Sequence, residues 1–163
     1  MREATEQEIF DRYGSQDVSF NYRWQHVTTV AELAMRLAQL TDADMDVVEA
    51  AAWLHDVRKG KREDHALAGA DFARAFLPQT DFPAGKIEHV ARAIEVHMGL
   101  WRDAPLTDLE AMVLWDADKL SKIGLTAVFH WTGGSLAGFR PTSIREIIAN
   151  GQQAEWQHKT VAS

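Results

Sequence analysis

No cysteine occurs among the 163 residues, which removes disulfides, thiolate metal sites and a cysteine nucleophile from consideration. No stretch nears the roughly 18 consecutive apolar residues that a membrane span requires. The charged opening MREATEQEIF lacks the apolar segment of an export signal, so a cytoplasmic location away from membranes is expected. Positive charge is scarce: 17 Lys and Arg stand against 24 Asp and Glu, a net charge of −7. That balance argues against broad nucleic-acid binding, which depends on neutralising several phosphates. A small phosphorylated substrate stays compatible, because a metal or a local basic cluster can reverse the field within one pocket. Sustained period-2 alternation, internal repeats and long linkers are missing as well, so neither strands nor a second domain are expected.

What is present is helical periodicity, and 46% hydrophobic residues supply a core of useful size. The expectation is one all-α domain over 1–163, a bundle of about six to eight helices. Thr5 to Glu8 reads T-E-Q-E, a capping box that predicts a short first helix ending near Gly14. From about Phe20 to Leu40, Val27, Val30, Leu33, Ala34 and Leu37 recur at spacings of three and four, one buried stripe. Thr41 and Asp42 are expected to break this helix and cap the next, which is alanine-rich and runs from about Asp44 to Leu54. A basic loop, RKGKRED, follows. A fourth helix is expected over His65 to Leu77 with Ala68, Phe72 and Phe76 on its apolar face, and a fifth from Pro83 or Ala84 to Met98. A sixth, introduced by Pro105 and Thr107, carries WDADKL, and a last one is expected over Thr142 to Gln157.

Seven histidines need explaining. His26 precedes Val30 by four and Leu33 by seven, on the buried stripe. His97 follows Val90 by seven and Ile94 by three. His55 and Asp56 end the alanine-rich helix, and His65 begins the next one. A polar group buried in a core costs a few kcal/mol unless it has a partner. Such a set is satisfied most economically around one or two cations, and imidazole with carboxylate suits Fe, Mn, Ni, Co or Zn. Asp116 and Asp118 point about 200° apart on a helix. Asp118 lies four after Leu114 and seven after Ala111, so it is the one assigned to the interior. His89, His130 and His158 fall off the inner faces and carry no role. Lys59 is placed to meet an anionic group, whereas Arg58, Lys61 and Arg62 read as a solvated loop. Arg23, three before His26, either clamps a phosphate or pairs with an acidic neighbour. The tryptophans read as core or pocket walls, and their abundance leaves room for a homodimer.

His26 in YRWQHVTTVAELAMRLA, His55-Asp56 in AAWLHDVRK and Asp118 in DADKL, in that order, resemble the signature of the HD-domain superfamily over roughly Tyr22 to Gly124. The resemblance implies a bundle of at least five helices with these four residues as ligands of a divalent metal (Fe, Mn, Ni, Co, Zn or Mg). Residues 125–163 are then a helical extension. Some members hold two ions, and His65 and His97 resemble the additional ligands, with Asp56 as the bridge. The implied activity is phosphoester hydrolysis, often of nucleotides. Asp56 and Lys59 are the expected catalytic residues, and Arg23, Lys59 and Lys119 the expected substrate contacts. After His97 the chain reads MGLWR, without the elements of cyclic-dinucleotide phosphodiesterases. A non-catalytic metal- or nucleotide-binding module and a di-iron oxygenase, which shares the six-ligand set, are the competing readings.

Overall fold

The computed structural model describes residues 1–13, 22–60, 64–99 and 102–123. The chain divides into two compact units, Met1–Ser121 and Lys122–Ser163, and the first contains every candidate site residue. The expected last helix, His130, His158, Lys61 and Arg62 lie outside the described residues.

Six α-helices occur among the described residues: α1 (Arg2–Tyr13), α2 (Tyr22–Leu40), α3 (Met45–Leu54), α4 (His65–Phe76), α5 (Ile87–Glu95) and α6 (Leu109–Leu120). Single 3-10 turns at Leu77–Gln79 and Ala84–Lys86 join α4 to α5, and no strand is found among these residues. None of the described helices is long and apolar enough to cross a membrane.

The middle of the bundle is α3. Val47, Val48, Ala50, Ala51, Ala52 and Leu54 are all buried, so the helix is covered on most sides, as its apolar composition demands. It packs against α2, α5 and α6, while α4 lies on α5. Small alanines on α2, α3, α4 and α5 let these axes approach closely. The end of α3 therefore falls inside the bundle, and the HD pair with it.

Several local expectations are corrected. Thr5 is not a cap: it sits in the first turns of α1, buried, and its Oγ1 donates to Trp53 O at 3.0 Å. The long-range bond to α3 outweighs the local capping geometry. Thr41 is likewise bonded back to Leu37 O, and the cap of α3 is Asp44, whose carboxylate accepts from the Asp46 and Val47 amides. Asp108, rather than Pro105 or Thr107, caps α6 through the Ala111 amide. The buried face of α4 is Ala66, Gly69, Ala70 and Ala73, with Ala68, Phe72 and Phe76 half-buried. The expected apolar face is thus one residue out of phase, because close helix contact favours the small side chains. Arg58 is not simply solvated. It pairs with Glu8 at 3.0 Å and lies 4.4 Å over the Phe72 ring.

Candidate metal centre

The helices deliver their polar side chains to one place. His26 comes from the second turn of α2, and His55 and Asp56 from the turn that ends α3. His65 opens α4, His97 follows α5, and Asp118 sits in the last turn of α6. His26, His55, Asp56, His97 and Asp118 are buried, and His65 lies at the edge with a side chain 12% exposed. Asp116 is exposed, so the helical phase separates the two aspartates. His89 is exposed as well.

Two overlapping sets of donor atoms result. His26, His55 and Asp118 form one, and His55, Asp56 and His97 the other, each with ligand atoms within 4.8 Å of one another. His26 Nε2 is 3.2 Å from Asp118 Oδ1, 3.5 Å from Asp56 Oδ2 and 3.4 Å from His55 Nε2. Asp56 Oδ1 faces His65 Nε2 at 3.3 Å and His97 Nε2 at 3.6 Å.

The hydrogen bonds around the rings indicate which nitrogens carry protons. His55 Nδ1 lies 2.7 Å from Ala52 O and His97 Nδ1 2.6 Å from Ile94 O. A carbonyl only accepts, so both Nδ1 atoms are protonated, and in the neutral ring this leaves the Nε2 lone pair directed to the centre. Burial pushes the His55 imidazole down to about 3, so it is neutral, the form that binds metal. Burial opposes the charge on Asp56, but the imidazoles of His55, His26, His65 and His97 hold its carboxyl well below the usual carboxylate range. The cations of Arg23 and Lys59 act in the same direction. Asp56 Oδ1 is buried without hydrogen-bond geometry to any neighbour, a costly arrangement in an apolar interior. Inward lone pairs, ionised oxygens and no thiolate make a donor set that fits a divalent cation.

Three cations line the same place. Arg23 Nη1 donates to Asp56 Oδ2 at 2.6 Å and Lys59 Nζ to the same oxygen at 2.9 Å. Lys119 Nζ donates to His97 O at 2.7 Å and to Asp118 Oδ2. Of the two options open for Arg23, the structure shows the acidic partner. Two residues that matter went unnoticed in the sequence. Gly69 on α4 lies against the end of α3: a Cβ there would stand 3.1 Å from His55 O and 3.2 Å from Ile94 Cγ2. Ser121 touches both His26 and the backbone of Asp118. The signal for Ser121 was its position three after Asp118, on the same helix face. For Gly69 only the small-residue run ALAGA hinted at close packing.

The comparisons with known proteins agree with this architecture. The family profile described as HD domain matches residues 23–123, and the chain belongs to that family. The bifunctional uridylyltransferase/uridylyl-removing enzyme of Nitrobacter winogradskyi is 44% identical over 63 residues, 39% of this chain. Those residues make up 7% of that relative's length, so the likeness concerns one module of a much longer protein. The Bacillus subtilis protein YpgQ is 29% identical over 119 residues, 69% of this chain and 56% of its own length. A crystal structure of a predicted HD superfamily hydrolase from an uncultured Thermotogales bacterium superposes with a TM-score of 0.64. It covers 98% of this chain and 88% of its own, at 23% identity, and it supports the fold.

Proposed function

We propose that the protein is a metal-dependent phosphohydrolase acting on a small phosphoester, with a nucleotide as the favoured substrate class. The observation that carries this reading is the convergence of His26, His55, Asp56 and Asp118 on one buried point with three cations beside it. These four residues would hold one divalent ion, Fe, Mn, Ni, Co, Zn or Mg. His65 and His97, with Asp56 between, would complete a place for a second. When bound, such an ion lowers the pKa of a coordinated water from about 16 toward about 7 and draws charge from phosphoryl oxygens.

The chain's own groups do the rest. The two carboxylates face three cations in Arg23, Lys59 and Lys119, so the site suits an anion even before a metal is counted. Lys59 and Arg23, anchored on Asp56 Oδ2, would pass from the carboxylate to a phosphoryl oxygen as substrate enters. Asp56, held ionised, would help hold the metal and orient the attacking water. Bundle walls of alanine and valine keep bulk water away and strengthen each of these interactions. Removal of a uridylyl group, named for the Nitrobacter relative, supports a nucleotide-bearing phosphoester as substrate.

The test is metal analysis of purified protein followed by assays on generic phosphoesters and a nucleotide panel. Wild-type protein is expected to release phosphate, and His55→Ala and Asp56→Ala to lose both metal and turnover. Full metal and full turnover in both variants would overturn the assignment. Saturable nucleotide binding with no product formed would favour a binding module instead.

A further inference from the structure

The three interior imidazoles are not held alike. His55 and His97 give their Nδ1 protons to main-chain carbonyls three residues earlier, Ala52 O and Ile94 O, fixed parts of their own helix ends. His26 sits in the second turn of α2, where the main-chain carbonyls are already engaged in the helix. Its Nδ1 faces a side chain instead, the hydroxyl of Ser121 at 3.3 Å. Ser121 is 1% exposed and closes α6, so the contact joins two helices through residues 95 apart in sequence.

The direction of this bond follows from its other end. Ser121 Oγ also lies 2.7 Å from Asp118 O, a carbonyl that can only accept. A hydroxyl has one proton, and it goes to Asp118 O. Toward His26, Ser121 must therefore accept, which requires the proton on Nδ1 and leaves Nε2 as the ligand atom. A competing arrangement stands beside it. Asp118 Oδ1 at 3.2 Å and Asp56 Oδ2 at 3.5 Å would each accept a proton from Nε2. In that tautomer the nitrogen needed for the metal is blocked.

We infer that Ser121 is a positioning residue: its hydroxyl, anchored on Asp118 O, holds the His26 proton on Nδ1 and so keeps Nε2 open for a divalent cation. The inference rests on the metal reading of the site, but the tautomer itself is a property of the metal-free protein. Groups that orient metal-bound imidazoles typically change metal affinity about 10–100-fold when removed.

The experiment uses full-length protein labelled with 15N in its histidines. Ring nitrogen shifts are recorded without metal at about pH 8.5, well above the ordinary imidazole range. Zinc affinity is then measured by competition with a chelator. Wild-type His26 is expected to show a protonated Nδ1, like His55 and His97. In Ser121→Ala the His26 proton is expected to move to Nε2 while His55 and His97 stay unchanged, and zinc binding to weaken about 10–100-fold. Ser121→Thr, which keeps a hydroxyl, is expected to restore both. An Nδ1-protonated His26 in Ser121→Ala would overturn the inference, whether or not zinc binding fell. A wild-type protein that binds no zinc would count against the metal reading, while the tautomer comparison would still decide the role of Ser121.

Discussion

Carboxylates meet cations in two very different parts of this molecule. On the surface, Arg74 of α4 reaches Glu88 at 2.7 Å and Glu95 at 2.8 Å, and Lys86 reaches Asp44 and Asp46, both at 2.7 Å. Inside, Arg23 and Lys59 share one oxygen of Asp56 at 2.6 and 2.9 Å. The distances are nearly the same, but the surroundings are not. Water screens the outer pairs and lets each partner fall back on solvation, so they tie helices together weakly. Asp56 and Asp118 are buried among imidazoles, where an ionised group without adequate partners is costly. Geometry alone therefore does not mark a functional ion pair. Burial in excess of what stability needs is what distinguishes the inner one.

That contrast can be broken or sharpened by substitution. The largest effect is expected from His55→Ala, because His55 belongs to both candidate donor sets. Divalent binding should weaken by more than the 10–100-fold typical of outer groups, measured by titration of metal-stripped protein. Next comes Gly69→Ala. The added Cβ would press on His55 O, which belongs to the backbone and cannot turn aside. A loss of about 1–2 kcal/mol is expected by denaturant unfolding, with weaker metal binding, as overpacking outweighs the gain in helix propensity. Gly85→Ala is the control. Nothing lies within 4 Å of a Cβ there, and its stability should change by less than about 0.5 kcal/mol.

Arg74→Ala should cost less than about 1 kcal/mol, diminish further in salt, and leave metal binding untouched. The smallest effect concerns Asp44. The hydrogen bond from Lys86 holds its carboxyl below the usual range. A depressed folded-state pKa means stability present above the unfolded carboxylate pKa and lost as pH falls through the folded one. Asn at this position still caps a helix, so Asp44→Asn removes only the charge. Wild type should melt slightly higher than Asp44→Asn near neutral pH, and the gap should close below about pH 4. A gap unchanged at low pH would show that the pair contributes nothing through its charge.

The same contrast explains what could be read in the sequence. Helix α2 and the inward position of His26 follow from spacings of three and four. The choice of Asp118 over Asp116 follows from helical phase, since a residue four after Leu114 shares its buried side. Local rules failed where distant atoms compete: Thr5 satisfies Trp53 O on α3 instead of capping α1. The face of α4 was misjudged because large side chains were favoured where a tight contact with α5 selects Ala66, Gly69, Ala70 and Ala73. Gly69 acts through the backbone at the end of α3, which no periodicity reports, and Ser121, although its spacing places it beside Asp118, acts on His26, 95 residues away. The partners of Arg23, Lys59 and Lys119 were open for the same reason, as three residue types cannot say which carboxylate each will find.

The central claim is that side chains from separate helices share a cation. It is tested most directly by titrating zinc into metal-stripped wild type and Asp118→Asn, following heat and the histidine ring nitrogens. Saturable binding that shifts His26 and His55 Nε2 together, and that is strongly weakened in Asp118→Asn, is the predicted result. Absence of saturable binding in wild type, or equal binding in the two proteins, would contradict it.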